Sequence, residues 1–258
     1  MATFETLEVS VQGAIGYMAL ARPKRLNALS RQTLQDLAQA SRWFDEQRDV
    51  KVVVVSGQGT SFCAGFDLND FMNPDPEWGV RESADLGRLM AEAVTNMNAL
   101  TIAAIQGNCI GGGVVLAASC DLRVATDSAN FVIPEVDLGI PLAWGGIPRL
   151  VREIGPAATK ELVLTCRPFG SDEAKSLGFL NTIVADTEID NHVQALAESL
   201  AAKPGYSLRT TKQQVNAVTE EMIGTARNAN DADSLVIATY DAESRAASAA
   251  YLKSKKKG

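Results

Sequence analysis

Two glycine-containing turns have the composition and spacing of a site for chemistry. One runs from Ser61 to Leu68 (Ser-Phe-Cys-Ala-Gly-Phe-Asp-Leu) and the other from Gly107 to Gly113 (Gly-Asn-Cys-Ile-Gly-Gly-Gly). Each follows an apolar run typical of a strand buried on both faces, and α/β folds bind ligands at the carboxyl ends of such strands. The first N–H groups of a following helix are left without intrahelical partners. Two such turns on neighbouring strands could aim two N–H donors at one carbonyl oxygen.

The glycines have other interpretations. The run Gly111-Gly112-Gly113 could simply allow close helix packing or a tight turn. A nucleotide site is a weaker competitor, because the spacing gives neither G-x-G-x-x-G nor G-K-[ST].

Glu135 is the candidate for proton transfer. It stands just past an apolar run, between prolines, in Phe-Val-Ile-Pro-Glu-Val-Asp-Leu-Gly-Ile-Pro. Burial there would raise its pKa toward neutrality and make it a usable general acid or base, although a solvated or capping carboxylate is the alternative. The chain has one histidine, so we expect carboxylates and backbone groups to carry the chemistry.

The elements that must position these groups alternate between strand and helix, which predicts an α/β protein. Hydrophobic patterning predicts strands over 4–9, 14–20, 51–55, 101–105, 122–125 and 130–133, and one near 182. It predicts helices after an N-cap at Ser30 and over 82–98, 114–120, 149–154, 157–164 and 171–177. Helix formers dominate from about 187, and we divide the chain into an α/β core, 1–195, and a helical C-terminal region, 196–258.

Composition excludes several classes of protein. A net charge of −7 and a pI near 4.9 argue against nucleic acid as a partner. The sequence shows neither a secretory signal nor a run long enough to span a membrane, so we expect a cytoplasmic protein. The cysteines at 63, 109, 120 and 166 form no C-x-x-C pair, which favours reduced core thiols over disulfides or a metal site.

Several ordered motifs together resemble the enoyl-CoA hydratase/isomerase (crotonase) superfamily over essentially the whole chain. They are Arg22-Pro-x-x-x-Asn-Ala-Leu29, Phe62-Cys-Ala-Gly-Phe-Asp-Leu68, Gly107-x-x-x-Gly-Gly-Gly113, Cys120-Asp-x-Arg123, Pro134-Glu-x-x-Leu-Gly139, Gly145-Gly146 and Glu173-Ala-x-x-x-Gly-x-x-Asn181. The resemblance implies a spiral of β-β-α units whose C-terminal helices build a homotrimer or a hexamer.

The resemblance also implies a site. A coenzyme A thioester is the substrate, no separate cofactor is required, and the N–H groups of Phe66 and Gly112 form the oxyanion hole while Glu135 moves a proton. By position, the coenzyme A contacts are Lys24, Arg25, Ala28, Ala64, Gly65, Asp67, Leu68 and Gly111. The adenine-phosphate end would receive a contribution from Tyr251, Lys253, Lys255, Lys256 and Lys257.

The sequence departs from the hydratase pattern at one position. Hydratases of this superfamily carry a second glutamate where this chain has Val115. A valine cannot accept a proton or orient water, whereas one carboxylate is enough for a 1,3-proton shift. The pattern is similar to the enoyl-CoA Δ3-Δ2 isomerase branch, and the dienoyl-CoA isomerase branch would need an acid where Ala143 stands.

Three hypotheses therefore remain: an isomerase, a hydratase that uses Glu135 alone or with Asp70 or Asp75, and a silent acyl-CoA-binding relative. We expect the acyl pocket to be lined by Val115, Pro134 and Trp144. The segment 71–80 could line the pocket too, or be a surface loop held by Trp78.

Overall fold

The computed structural model describes residues 3–73, 79–228 and 230–255. The strands are β1 (Leu7–Gln12), β2 (Ile15–Leu20), β3 (Val52–Gly57), β4 (Leu100–Ile105), β5 (Asn108–Ile110), β6 (Leu122–Thr126), β7 (Asn130–Val132), β8 (Phe169–Gly170) and β9 (Thr182–Val184). The α-helices are α1 (Arg31–Glu46), α2 (Leu68–Met72), α3 (Val80–Thr95), α4 (Gly112–Ser119), α5 (Gly146–Thr165), α6 (Ser171–Ser176), α7 (Ile189–Ala201), α8 (Gly205–Met222), α9 (Asp231–Tyr240) and α10 (Ala242–Lys255).

The larger sheet has six strands in the order β1-β2-β3-β4-β6-β9. β1 and β2 form an antiparallel hairpin, and every other pair in the sheet is parallel. β3 pairs directly with β4, with Val53 opposite Thr101 and Val54 opposite Ile102. The loops that leave these two strands therefore start from the same edge of the sheet.

Helices cover both faces of this sheet, which is why β3 can be apolar on both sides. Leu34 and Leu37 of α1 and Met90 of α3 belong to the main core on one face. On the other face, α7 packs Val193 and Ala197 against the sheet. The predicted boundary between 195 and 196 lies inside α7, and Ala197, beyond that boundary, still belongs to the packing against the sheet.

A second sheet has three strands in the order β5-β7-β8. β7 confirms the strand predicted over 130–133, whereas β5 and β8 were not predicted. β5 falls inside the predicted glycine turn, and β8 has only two residues. Phe131 of β7 stacks on Phe169 of β8 with ring centroids 5.3 Å apart. This sheet matters for the site because β5 leads into α4 and β7 leads to Glu135.

Several element boundaries differ from the predictions. β1 begins at Leu7 rather than at residue 4, and α4 begins at Gly112 rather than at residue 114. The predicted break between two helices near 155 is confirmed, since Gly155 has φ 76° and ψ 166° inside α5. The C-terminal part is helical, as predicted. Trp78 and Asp75 lie outside the described residues.

Two further observations concern membrane-spanning helices and the cysteine thiols. In the described ranges, no helix is both long enough and apolar enough to cross a membrane. The four cysteines are free and buried. Burial raises the pKa of the Cys63 thiol to about 12, so this residue, although it lies beside the glycine turn, stays a neutral thiol.

The N-cap of α1 gives a test of the fold. The Ser30 side chain accepts a hydrogen bond from Thr33 N at 3.2 Å, as the sequence predicts. We expect Ser30→Ala to lower the free energy of unfolding by about 1 kcal/mol. The measurement is a shift in the urea midpoint at constant slope. Ser10→Ala, at an exposed position of β1, is the control and should leave the midpoint unchanged. An unshifted midpoint in the Ser30 variant would contradict the capping role.

Candidate active site

The loops that follow β3 and β4 are joined by backbone hydrogen bonds. Phe62 N donates to Gln106 O at 2.7 Å, and Cys63 N donates to Asn108 O at 3.0 Å. Ile110 N returns a hydrogen bond to Cys63 O at 2.9 Å. The parallel pairing of the sheet is thus resumed in the two loops, and it fixes one glycine turn against the other.

Gly65 lies where the two turns come closest. Its φ of +88° is in the left-handed region, and a Cβ there would lie 2.8 Å from Ile110 O. The same Cβ would lie 3.8 Å from Gly112 N, which shows how near the second turn is. A side chain would therefore collide with backbone, so glycine is required for both conformation and space.

Phe66 and Gly112, the residues predicted to form the oxyanion hole, line one cavity. Leu29 N donates to Gly65 O at 2.8 Å and Asp67 N donates to Leu29 O at 3.0 Å. Leu29 thus forms a parallel bridge with Phe66 by bonding the residues on either side of it, and in such a bridge the N–H of Phe66 itself points away from Leu29. Gly112 is the first residue of α4, so its N–H has no intrahelical acceptor. Both residues line the same cavity, as the oxyanion-hole prediction requires.

Glu135 lies in the turn after β7, where Ile140 N donates to its backbone carbonyl at 3.0 Å. The carboxylate lies against Gly111, since a Cβ at Gly111 would be 2.5 Å from Oε1. Oε2 is buried and has no hydrogen-bond partner among the described residues. Burial raises the pKa of Glu135 to about 7, and a hydrogen bond from its own backbone N–H opposes that rise.

A cavity of about 280 Å³ connects these groups. Trp144 forms one wall, with its ring edge-on to Phe66 at a centroid distance of 5.6 Å. The same ring occupies the space that side chains would need at Gly112 and Gly87, where a Cβ would lie 2.4 Å and 1.9 Å from its atoms. Val115 of α4 is also in the wall. The cavity is therefore mostly apolar, and its polar side chains come from Arg31, Asp70, Ser83, Glu135 and Thr239.

The predicted pocket residues are largely brought together. Phe66, Gly112, Val115, Glu135 and Trp144 all line the cavity, as does Phe71 from the predicted segment 71–80. The lining does not include Pro134, which is buried beside Glu135. Sequence reasoning missed the contributions of other elements, which are Arg31, Ser83, Ala84, Ile140, Pro141, Leu142, Leu235, Val236 and Thr239.

A second cavity, of about 610 Å³, lies between α8 and the core. Its walls include Asp121, Arg152 and Lys212. Lys212 pairs with Asp121 at 2.8 Å, and Arg152 pairs with Glu220 at 3.3 Å. None of the predicted site residues lines this cavity, so its size does not make it the site.

Comparison with known proteins agrees with this geometry. Residues 10–257 match the family described as Enoyl-CoA hydratase/isomerase. The chain belongs to the enoyl-CoA hydratase/isomerase family. A solved enoyl-CoA hydratase/isomerase from Pseudoalteromonas atlantica superposes with a TM-score of 0.88 at 25% identity, covering 97% of this chain and 98% of the other. The crotonase fold predicted from the motifs is thereby confirmed.

Relatives of known name include both hydratases and isomerases. The chain is 34% identical to a peroxisomal Delta(3,5)-Delta(2,4)-dienoyl-CoA isomerase of Arabidopsis thaliana, over 82% of each protein. It is 32% identical to a crotonyl-CoA hydratase of Syntrophomonas wolfei, over 92% of each. The family is therefore established, and these names leave the choice of reaction to the residues of the site.

The positions assigned to coenzyme A lie in two adjoining segments. Ala64 N donates to Leu26 O at 2.9 Å, which holds the segment 24–28 against the segment 64–68. Lys24 and Arg25 are exposed in a short 3₁₀ helix, so their cationic ends are free to meet phosphate groups. Ala28 and Leu68 are partly exposed, and Gly111 is buried next to Glu135.

The side chain of Asp67, one of the residues assigned to coenzyme A, is bonded within the protein. Its carboxylate pairs with Arg22 at 2.8 Å and accepts a hydrogen bond from Asn69 N at 3.0 Å, which caps α2. These bonds occupy the side chain and hold the loop that carries Phe66. A short acidic residue directly before a helix was the available sequence signal for this cap.

Of the C-terminal residues assigned to the adenine-phosphate end, the structure describes the surroundings of Tyr251 and Lys253. Tyr251 is partly buried, and burial together with the charges of Glu135 and Asp137 raises its pKa. Its helix packs on the Glu135 turn, since Ser248 Oγ donates to Leu138 O. Lys253 is exposed, whereas Lys256 and Lys257 lie outside the described residues.

The buried carboxylate makes stability depend on pH. Glu135 keeps its proton up to a pH of about 7 in the folded chain, compared with 4.5 for an ordinary glutamate. Because the folded state binds more protons in this window, its stability falls as the pH rises. Wild type should lose roughly 3 kcal/mol of stability between these two pH values, and we expect Glu135→Gln to remove that loss. Urea unfolding at a series of pH values measures it. Glu46→Gln, at an exposed site, is the control, and parallel curves for wild type and Glu135→Gln would contradict the buried protonation.

Proposed function

We propose that this protein is an enoyl-CoA isomerase that moves a carbon–carbon double bond by a proton shift at Glu135. The observation that carries the proposal is that Glu135, whose buried Oε2 has no hydrogen-bond partner among the described residues, lines the cavity, with Val115 on the neighbouring wall where a second acid would be needed to activate water. The other carboxylate of the cavity, Asp70, accepts a hydrogen bond from Arg31 N at 2.7 Å, which disfavours it as a second acid.

The proposed reaction starts with the thioester carbonyl between the N–H groups of Phe66 and Gly112. Glu135 takes a proton from the carbon next to the thioester of a 3-enoyl-CoA, and the electron pair moves into the carbonyl to give an extended enolate. The proton then returns from Glu135 to the fourth carbon, which leaves a 2-enoyl-CoA with no net gain or loss of atoms. Each N–H donor could stabilise the enolate by about 3 kcal/mol.

The protonation behaviour of Glu135 suits this cycle. A group with a pKa of about 7 can accept a proton and give it back near neutral pH. The apolar walls at Val115, Leu142 and Trp144 would keep water from the enolate. Burial in the same apolar surroundings raises the pKa of Glu135. The apolar lining would therefore both exclude water and give the base a pKa near neutrality.

Addition of water is the second candidate, and the hydratase names among the relatives favour it. In that reaction, Glu135 would have to position and activate water alone. Asp70 is held by Arg31, and Asp75 lies outside the described residues. A silent acyl-CoA-binding relative is the third candidate, and the unpartnered Glu135 oxygen speaks for a working base instead.

We also propose a homotrimer, which the family resemblance implies, with acyl-CoA as the partner molecule. Support comes from α8, where Val215, Val218 and Met222 recur at spacings of three and four residues and are 58%, 59% and 73% exposed. Such a row forms one apolar helix face. An apolar helix face of this kind is typical of a surface that is covered in an assembly.

The function is tested by incubating the protein with 3-enoyl-CoA and 2-enoyl-CoA in heavy water and following product mass and double-bond position. The isomerase predicts a moved double bond with no gain of water mass, and kcat/KM that falls as the pH drops below about 7 because Glu135 becomes protonated. Glu135→Gln should lower kcat at least about 100-fold, and Glu46→Gln should not. A gain of one water would establish the hydratase instead, and binding without turnover would establish the silent relative.

The trimer is tested on the apolar face of α8. Wild type should show three times the chain mass of 27.5 kDa, or six times for a pair of trimers, by light scattering after gel filtration. Val218→Asp should reduce that mass because it places a charge in the apolar face. Gln213→Asp, on the exposed opposite side of the same helix, should leave the mass unchanged. A monomeric wild type would refute the proposal.

A further inference from the structure

We propose that the acyl pocket is built for an acyl chain that carries a neutral oxygen function, a hydroxyl or a keto group, and that Arg31 binds this oxygen. The inference rests on the proposed function in one respect, namely that the 280 Å³ cavity holds the acyl group of a coenzyme A thioester. It specifies the substrate class, which neither the oxyanion hole nor Glu135 determines.

The first observation is an unpaired donor on Arg31, a residue that lines the cavity. Four side-chain atoms among the described residues are buried without a hydrogen-bond partner: Arg31 Nε, Glu135 Oε2, Arg149 Nε and Asn228 Nδ2. Of the residues that own them, Arg31 and Glu135 line the same cavity. Proton transfer accounts for the Glu135 oxygen, whereas nothing in the proposed reaction uses Arg31. A buried donor is costly to leave unpaired, so its presence indicates an acceptor in the occupied pocket.

The second observation is that the guanidinium is fixed in place by its other end. Nη2 donates to Asp70 O at 2.7 Å and to Asn73 O at 3.3 Å. The side chain is only 16% exposed. The bonds at Nη2 therefore limit the rotation of the guanidinium, and Nε, which is buried, would be uncovered by an acyl chain that displaces its neighbours. A donor held in this way can discriminate between ligands without a large loss of side-chain entropy.

Charge decides which kind of oxygen fits. Asp70 Oδ1 lies 3.8 Å from Arg31 Nη1, so the positive charge already has a carboxylate beside it. A carboxylate at the end of an acyl chain would be repelled by Asp70, whereas a neutral oxygen needs only the donor. Thr239 in the same wall gives its hydroxyl proton to Val236 O at 2.7 Å, so its oxygen can still accept from a ligand hydroxyl.

The volume of the cavity indicates how long the acyl chain of a test ligand should be. Its 280 Å³ corresponds to roughly nine groups of about 30 Å³ each, the share of one water molecule in the liquid. An acyl chain of about eight carbons with one terminal oxygen has that number of heavy atoms. Octanoyl-CoA and 8-hydroxyoctanoyl-CoA are therefore a matched pair that differs only in the oxygen.

The test is calorimetric binding of this pair to wild type and to variants at Arg31. We expect 8-hydroxyoctanoyl-CoA to bind wild type about tenfold more tightly than octanoyl-CoA. Arg31→Met, which keeps length without a donor, should bring the ratio close to one, and Arg31→Lys should retain part of it. Arg42→Met, at an exposed position of the same helix, is the matched control and should keep the wild-type ratio.

Three results would overturn the inference. They are equal affinity of wild type for the two esters, a ratio that survives Arg31→Met, and tighter binding of octanedioyl-CoA than of the hydroxy ester. Both saturated esters lack a double bond, so the readout is independent of turnover and stays informative if the isomerase proposal fails. If Arg31→Met does not fold because the bonds to the segment 70–73 are lost, the wild-type ratio and Arg31→Lys decide.

Discussion

The pairing between the loops after β3 and β4 is the constraint on which the site depends. Backbone hydrogen bonds from Phe62 and Cys63 to the second loop bring Gly65 against the turn that begins α4. No side chain fits between the two turns, so the N–H groups of Phe66 and Gly112 are placed by backbone alone. This explains why the motif consists of glycines: the position of the donors is set by the sheet edge, and side chains enter only as walls.

The walls then determine the electrostatics of the site. Val115 and Trp144 line the same cavity as Glu135, and burial of that carboxylate raises its pKa. A base that is buried in this way is less stable as an anion and correspondingly ready to take a proton. A second buried carboxylate in the position of Val115 would add repulsion as well as a contact for water, and so the identity of one residue changes both the charge and the hydration of the cavity.

Local patterns in the sequence predicted the parts of the structure that local physics controls. The valine run of β3, the cap at Ser30 and the break near Gly155 each have a cause within a few residues, and each was confirmed. The predicted start of α4, residue 114, was wrong by two residues. Glycine has low helix propensity, so the sequence did not indicate that the loop pairing would place Gly112 in the helix. Arg31 and Leu235 could not be predicted as pocket residues, because only tertiary packing brings α1 and α9 to the same cavity.

Because α9 contributes to the pocket, ligand binding is coupled to the docking of α9 on the rest of the chain. Leu235 and Val236 form part of the cavity wall, and Arg81 pairs with Asp233 at 2.7 Å where α3 and α9 meet. A ligand that fills the cavity therefore binds only when α9 is docked, and by linkage it strengthens that docking. In the free chain, the C-terminal helices should open more often than the sheet does, and the occupied pocket should protect their amides from hydrogen exchange.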